Sequence, residues 1–176
     1  MRNVPLLGVL AAVLMLAPGC GETPGSITPQ QQIEKTAQLI NMGTSSATAI
    51  GLVAVPDKAE ADKVAVLIKE ILSTSVLPIL NGDEAGITAG LQKILTLDMF
   101  NDPKLAKAKL ILETAIPLLK TQLPADLLDK ATGKIRADVV AYVKAFFNGV
   151  NEGVNAYLGS RGNGIDYTKL RADLAK

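Results

Sequence analysis

The sequence predicts an all-α fold, a single helical bundle of about four or five main helices behind a flexible N-terminal tether. Three observations carry that expectation. Apolar residues recur at alternating spacings of three and four along most of the chain. Proline beside Asp or Thr punctuates the places where several of these runs begin. The apolar residues, 48% of the chain, are mostly Leu, Ala and Ile, with aromatics at only 3%, a mixture that favours helix over sheet. At 176 residues the chain suits one domain and can bury a core without metals or disulfides.

The first helix is expected over 29–54. Thr28 can cap it and Pro29 suits its first position, with Ile33, Ala37, Ile40, Thr44, Ala47 and Gly51 as its seam. The seam becomes small toward Gly51, which invites close approach of another helix, and Gly43-Thr44-Ser45-Ser46 is weak helix material where a break is possible. A strand over 49–55 is the rival reading of that apolar run. Pro56-Asp57 then starts a helix over 58–80, with Val64, Leu67, Ile68, Ile71, Leu72 and Ser75 on one face and Asp62, Lys63, Lys69 and Glu70 elsewhere. Pro78 should kink or end it, because it removes the bond to the Thr74 carbonyl.

After the Asn81-Gly82-Asp83 turn, Ile87, Leu91 and Ile94 mark a helix over 84–98. Asp102-Pro103 opens another, with Leu105, Ala108, Leu112, Ala115 and Leu119 on its face and Pro117 as a kink. The longest helix is expected over 125–158, where Val140, Val143, Phe147, Val150, Val154 and Tyr157 form one stripe, with Thr132-Gly133 able to interrupt its start. Gly159 to Gly164 reads as a turn, and Asp166 as the cap of a short helix over 167–174.

Composition excludes several functions. A formal net charge of +1 leaves no basic excess to displace counterions from a nucleic acid, so no nucleic-acid partner is expected. No histidine removes the commonest general base and transition-metal ligand, and a single cysteine forbids an intrachain disulfide or a multi-cysteine metal site. No GxSxG or P-loop occurs. The Asn163-Gly164-Ile165-Asp166 turn lacks a calcium loop's ligand series. Carboxylate pairs such as Asp126/Asp129 and Asp83/Glu84 sit at expected helix starts, where the helix dipole accounts for them. No catalytic, cofactor-binding or metal residue is therefore assigned, and no enzyme is expected.

Four features remain open to a functional reading. The segments 69–80 (KEILSTSVLPIL) and 109–119 (KLILETAIPLL) align with a one-residue gap, through duplication of a helical hairpin or through chance likeness of two Leu/Ile-rich helices. Pro78 and Pro117 either splay kinked helices around an apolar pocket or simply mark helix ends. Phe146 and Phe147 point about 100° apart on a helix, so either both are buried against different neighbours or one meets a partner or membrane. Gly149 and Gly153 share one face, and each costs about 1 kcal/mol relative to Ala mid-helix unless close packing offsets it.

The N-terminus carries an address. Arg2 supplies a positive start, residues 4–16 an apolar run too short to span a bilayer, and Ala17-Pro18-Gly19 a small-residue close. Together with the chain's one cysteine, Leu16-Ala17-Pro18-Gly19-Cys20 resembles the lipobox of bacterial lipoproteins, with Ala17 where that class usually has Leu. The resemblance implies diacylglycerol transfer to the Cys20 sulfur, cleavage before Cys20 and acylation of the new amine. Domain organisation is then signal peptide 1–19, acylated Cys20 with a Gly/Pro-rich tether over 20–28, and a helical domain over 29–176. With Gly21 rather than Asp after the cysteine, the class's sorting rule favours the outer membrane, facing the periplasm, in a host with two membranes. The expected function is a membrane-anchored, non-enzymatic envelope lipoprotein that binds or scaffolds a protein partner. A carrier holding a lipid or other apolar ligand inside the bundle is the second reading.

Overall fold

The computed structural model describes residues 27–82, 87, 90, 93, 95–130 and 132–161. The protein is all-α, as its periodicity predicts: among the described residues there is no strand, only a single antiparallel bridge between Leu128 and Ile135.

Helix α1 runs from Pro29 to Val53. Its start is a capping box: the Gln31 amide donates to Thr28 Oγ1 (3.2 Å) and the Thr28 amide donates to Gln31 Oε1 (2.9 Å). No break occurs at Gly43 to Ser46, and 49–53 is helix rather than strand. The buried row is Ile40, Thr44, Thr48 and Leu52, with Ile33, Ala37, Ala47 and Gly51 only half-buried. The expected 3-4 seam crosses between two ridges of one helix. Thr44 and Thr48 face Gly149 and Gly153, whereas Gly43 meets Leu118 and Gly51 meets Ile111.

Asp57 Oδ1 caps helix α2 (Lys58–Ile71) by accepting from the amides of Ala59 (2.8 Å) and Glu60 (3.1 Å). The chain continues helically through a π turn, Leu72–Val76, into the short helix α3, Leu77–Leu80, and ends two residues past Pro78. The π turn has a physical reason. Ile68, Leu72, Val76 and Leu80 are all buried and recur every four residues, so on a regular α-helix Leu80 would sit about 120° around from Ile68. A π turn takes up one extra residue and brings that drift back to about 20°. Freed backbone is covered locally, Ser73 Oγ and Thr74 Oγ1 both donating to the Glu70 carbonyl at 2.9 and 2.8 Å.

Helical backbone at Ile87, Gly90, Lys93 and Leu95 matches the expected 84–98 element, whose Leu91 and Ile94 lie outside the described residues. It stops at Leu97, which is buried in the left-handed region (φ 55°), and a 3₁₀ turn, Asp98–Phe100, buries Phe100. Asp102 caps a second 3₁₀ turn, Pro103–Leu105, which leads into α4, Ala106–Lys120. Ala108, Leu112, Ala115 and Leu119 are buried as expected, with Leu105 half-buried. These four occupy the positions of Ile68, Leu72, Val76 and Leu80 in the likeness between 69–80 and 109–119 extended back by one residue, and the gap in that alignment falls at the π turn.

The last long helix departs from expectation at its start. The described residues between 125 and 136 are not helical; α5 spans Ala137–Ser160 and, at 24 residues, is slightly shorter than the 25 of α1. Asp129 Oδ1 accepts from both the amide (2.9 Å) and the hydroxyl (3.0 Å) of Thr132, and Gly133 takes φ +68°. Backbone bonds from Asp129 to the Lys134 carbonyl and from Arg136 to the Leu127 carbonyl then close a small loop. Asp turn chemistry and a left-handed glycine stop the helix that apolar content alone would extend. The expected turn and short helix after Arg161 lie outside the described residues.

Within α5, Val143, Phe147, Val150, Val154 and Tyr157 are buried as expected and Val140 is half-buried. A second row, Val139, Tyr142, Phe146, Gly149 and Gly153, is buried as well. The rings of Phe146 and Phe147 meet edge to face, centroids 5.0 Å apart, so both belong to the core. The α5 helix lies at the centre of the bundle, against α1, α2, α4 and the π turn.

Candidate functional site

Cys20, the one residue the sequence assigns to a modification, lies outside the described residues. The first described helix after it is α1, and three ridges of α1 have different fates. One meets α5 at glycines. A Cβ on Gly149 would fall closer than 3.0 Å to the Asn41 carbonyl oxygen, and one on Gly153 would do the same to the Ser45 carbonyl. Rising numbers on α1 meet rising numbers on α5, so the two helices run parallel with backbones in near contact. This supplies the close packing that offsets two mid-helix glycines, and their Cα–H groups point at carbonyl oxygens. The second ridge meets α4 at Gly43 and Gly51.

The third ridge is largely exposed in the described molecule. Leu39, Met42, Ile50 and Val53 are 69, 66, 51 and 71% exposed, and Ser46 between them is exposed too. At spacings of three, four, four and three they form one stripe about 21 Å long. No Lys, Arg, Asp or Glu occurs from 36 to 56. A helix on the surface of a bundle ordinarily turns charged residues outward; α1 turns out aliphatic ones. Sequence reasoning missed this stripe, although the signal was readable, since these residues fall off the expected seam in a run without charge.

At the far end of α5 stands a buried polar cluster. Asp62, expected on the solvent side of α2, is buried instead. Its Oδ1 accepts from the Tyr157 hydroxyl (2.9 Å) and Arg161 Nε (3.1 Å), and its Oδ2 accepts from Arg161 Nη2 (3.2 Å). Burial first, and the Asp62 hydrogen bond second, push the Tyr157 hydroxyl up to about 12, so at neutral pH it is a donor and not a base. The hydrogen bond to Asp62 likewise raises Arg161. Both carboxylate oxygens of Asp62 are engaged, which makes the cluster a clamp between α2 and α5.

Pro78 and Pro117 are both exposed near helix ends, away from the interior. Asp126 pairs with Lys130 (2.8 Å) and Asp129 holds the loop described above, so neither marks the helix start expected of them. Asp83, Glu84 and the 163–166 turn lie outside the described residues. On the flank of the α1–α5 seam Asn41 Nδ2 donates to Glu152 Oε1 (3.2 Å), while Asn41 Oδ1, Thr44 Oγ1 and Thr48 Oγ1 are buried without a hydrogen-bond partner. Asn41 Oδ1 and the Cβ atoms of Thr44 and Thr48 lie against Gly149 and Gly153, where helix approach leaves no room for a longer side chain.

No protein-family model matches the chain, and no curated protein and no solved structure is significantly similar to it. Among the described residues no helix is long and apolar enough to cross a membrane, and no group of three His, Cys, Asp or Glu could hold a metal ion.

Proposed function

We propose that the chain is an acyl-anchored, non-enzymatic lipoprotein of the bacterial cell envelope whose helical domain binds or scaffolds a partner. The observation that carries this reading is the Leu16-Ala17-Pro18-Gly19-Cys20 junction, which ends an apolar signal-type run at the chain's one cysteine. Support comes from the start of α1, which is capped at Thr28, with a short Gly/Pro-rich sequence between it and Cys20. Multiple acyl chains on one residue, at about 0.8 kcal/mol per buried CH₂, anchor stably without a spanning helix. Gly21 after the cysteine supports the outer membrane in a host with two membranes. The non-enzymatic part rests on the clamp, where the buried carboxylate of Asp62 is tied down on both oxygens.

The test is the mass of the chain extracted from the producing cell's envelope. Expected are loss of residues 1–19 and acyl mass on Cys20, and the Cys20→Ala variant should leave the membrane fraction or remain uncleaved. A mature chain with an unmodified Cys20 would overturn the anchor.

A further inference from the structure

We infer that the outward face of α1 lies on the surface of the bilayer to which the chain is tethered; this rests on the acylation of Cys20 proposed above. The other two ridges of α1 are committed to α4 and α5, so the stripe of Leu39, Met42, Ile50 and Val53 is free to meet something else. No charge between 36 and 56 has to be taken out of water when the face is covered. Lys35, four residues before Leu39 on the same face, is exposed and sets a cation where lipid phosphates would be.

Chain length points to the same occupant. The eight steps from Cys20 to Thr28, at about 3.3–3.6 Å each when extended, hold the start of α1 within about 30 Å of an acylated cysteine. Contact with the bilayer is then intramolecular, at a high effective concentration, so a face too weak to bind lipid alone suffices once tethered. A second copy of the chain fits less well. A stripe 21 Å long on a helix roughly 10 Å wide covers about 200 Å², a quarter of the ~800 Å² per partner of a standard protein interface.

The chain has no tryptophan, so one introduced indole reports its own surroundings. Met42→Trp and Ile50→Trp probe the stripe, and Lys63→Trp probes the exposed side of α2. Each acylated chain is reconstituted in vesicles of phosphatidylethanolamine and phosphatidylglycerol, with and without brominated phosphatidylcholine. Both stripe variants should emit to the blue and lose about half of that emission to brominated lipid, as expected roughly 5–10 Å into the headgroup boundary, while the Lys63→Trp variant keeps water-exposed emission. An acylated chain whose three variants all emit as in water overturns the docking and leaves the anchor standing. Blue emission without bromine quenching, with cross-linking to twice the mass, overturns it in favour of a second copy. A chain carrying no acyl mass overturns the anchor and, with it, the docking that depends on it.

Discussion

Helices α1 and α5 are nearly equal in length, run parallel and touch along their glycine seam, yet they live in opposite surroundings. The α5 helix carries Asp138, Lys144 and Glu152 and still buries twelve of its 24 residues. The α1 helix has no charge over its C-terminal two-thirds and buries four of 25. Burial is therefore set by position in the bundle rather than by charge content. α5 is surrounded on several sides by packed elements, so its few charges reach outward, whereas α1 sits at the edge and offers water an apolar face. An edge helix with core-like composition has an outer face fit to meet something beyond the chain.

The comparison can be broken first at the centre. If α5 is enclosed, Phe146 and Phe147 are both essential, and Phe147→Ala and Phe146→Ala should each cost about 3–5 kcal/mol in urea unfolding. The sequence alone left open a reading in which Phe146 faces a partner and its loss is nearly neutral; the ring contact removes that asymmetry. Because the rings touch, the double substitution should fall short of the sum of the singles. A neutral Phe146→Ala would show α5 to be open on that side.

Next comes the seam that joins the two helices. Gly153→Ala would drive a methyl into the Ser45 carbonyl, backbone that cannot swing aside as a side chain can. The helices must separate, and a loss of about 3 kcal/mol is expected despite alanine's better helix propensity. Gly159→Ala is the control, since nothing lies within 4 Å of a Cβ there. It should be neutral or slightly stabilising.

How much of this was legible before the structure divides by range. Local signals read correctly: Thr28-Pro29, Asp57 and Asp102-Pro103 all start helical segments because a cap acts on amides two or three residues away. The α4 face was legible because its 4-3-4 spacing is regular, and the π turn was not, although the one-residue gap between 69–80 and 109–119 was its trace. Asp62 was misplaced because its partners, Tyr157 and Arg161, lie 95 and 99 residues away. No periodicity reveals a carboxylate buried by such distant donors. The stripe on α1 was readable only as a lack of charge from 36 to 56, and which of the three ridges there stays exposed is decided by the neighbours that claim the other two.

The Asp62 clamp makes a smaller and pH-dependent prediction. An unfolded tyrosine releases its proton near pH 10, whereas folded Tyr157 holds it to about 12. Between those values the native state binds more protons, so stability falls as pH rises. The contribution is fully present below pH 10 and lost as pH passes about 12. Tyr157→Phe should cost about 1.5–2 kcal/mol at neutral pH, the value of a hydrogen bond to a charged group, and should flatten that alkaline decline relative to wild type. An unchanged decline in the variant would assign the alkaline loss to other groups.

The smallest effect on stability is expected on the α1 stripe, and its smallness is the point. Leu39 and Met42 are 69 and 66% exposed, so Leu39→Gln and Met42→Gln give up little buried area, and Leu, Met and Gln have similar helix propensities. Each change should stay within about 0.5 kcal/mol in dilute solution, the range of ordinary surface substitutions. The same exchange at Val143 or Val150 on α5 would put an amide into the core without a partner. If Leu39→Gln instead costs as much as a core substitution, and the loss grows with protein concentration, a second copy covers α1 in solution. A neutral result in solution together with weaker contact to vesicles shows that this face serves the bilayer and not the fold.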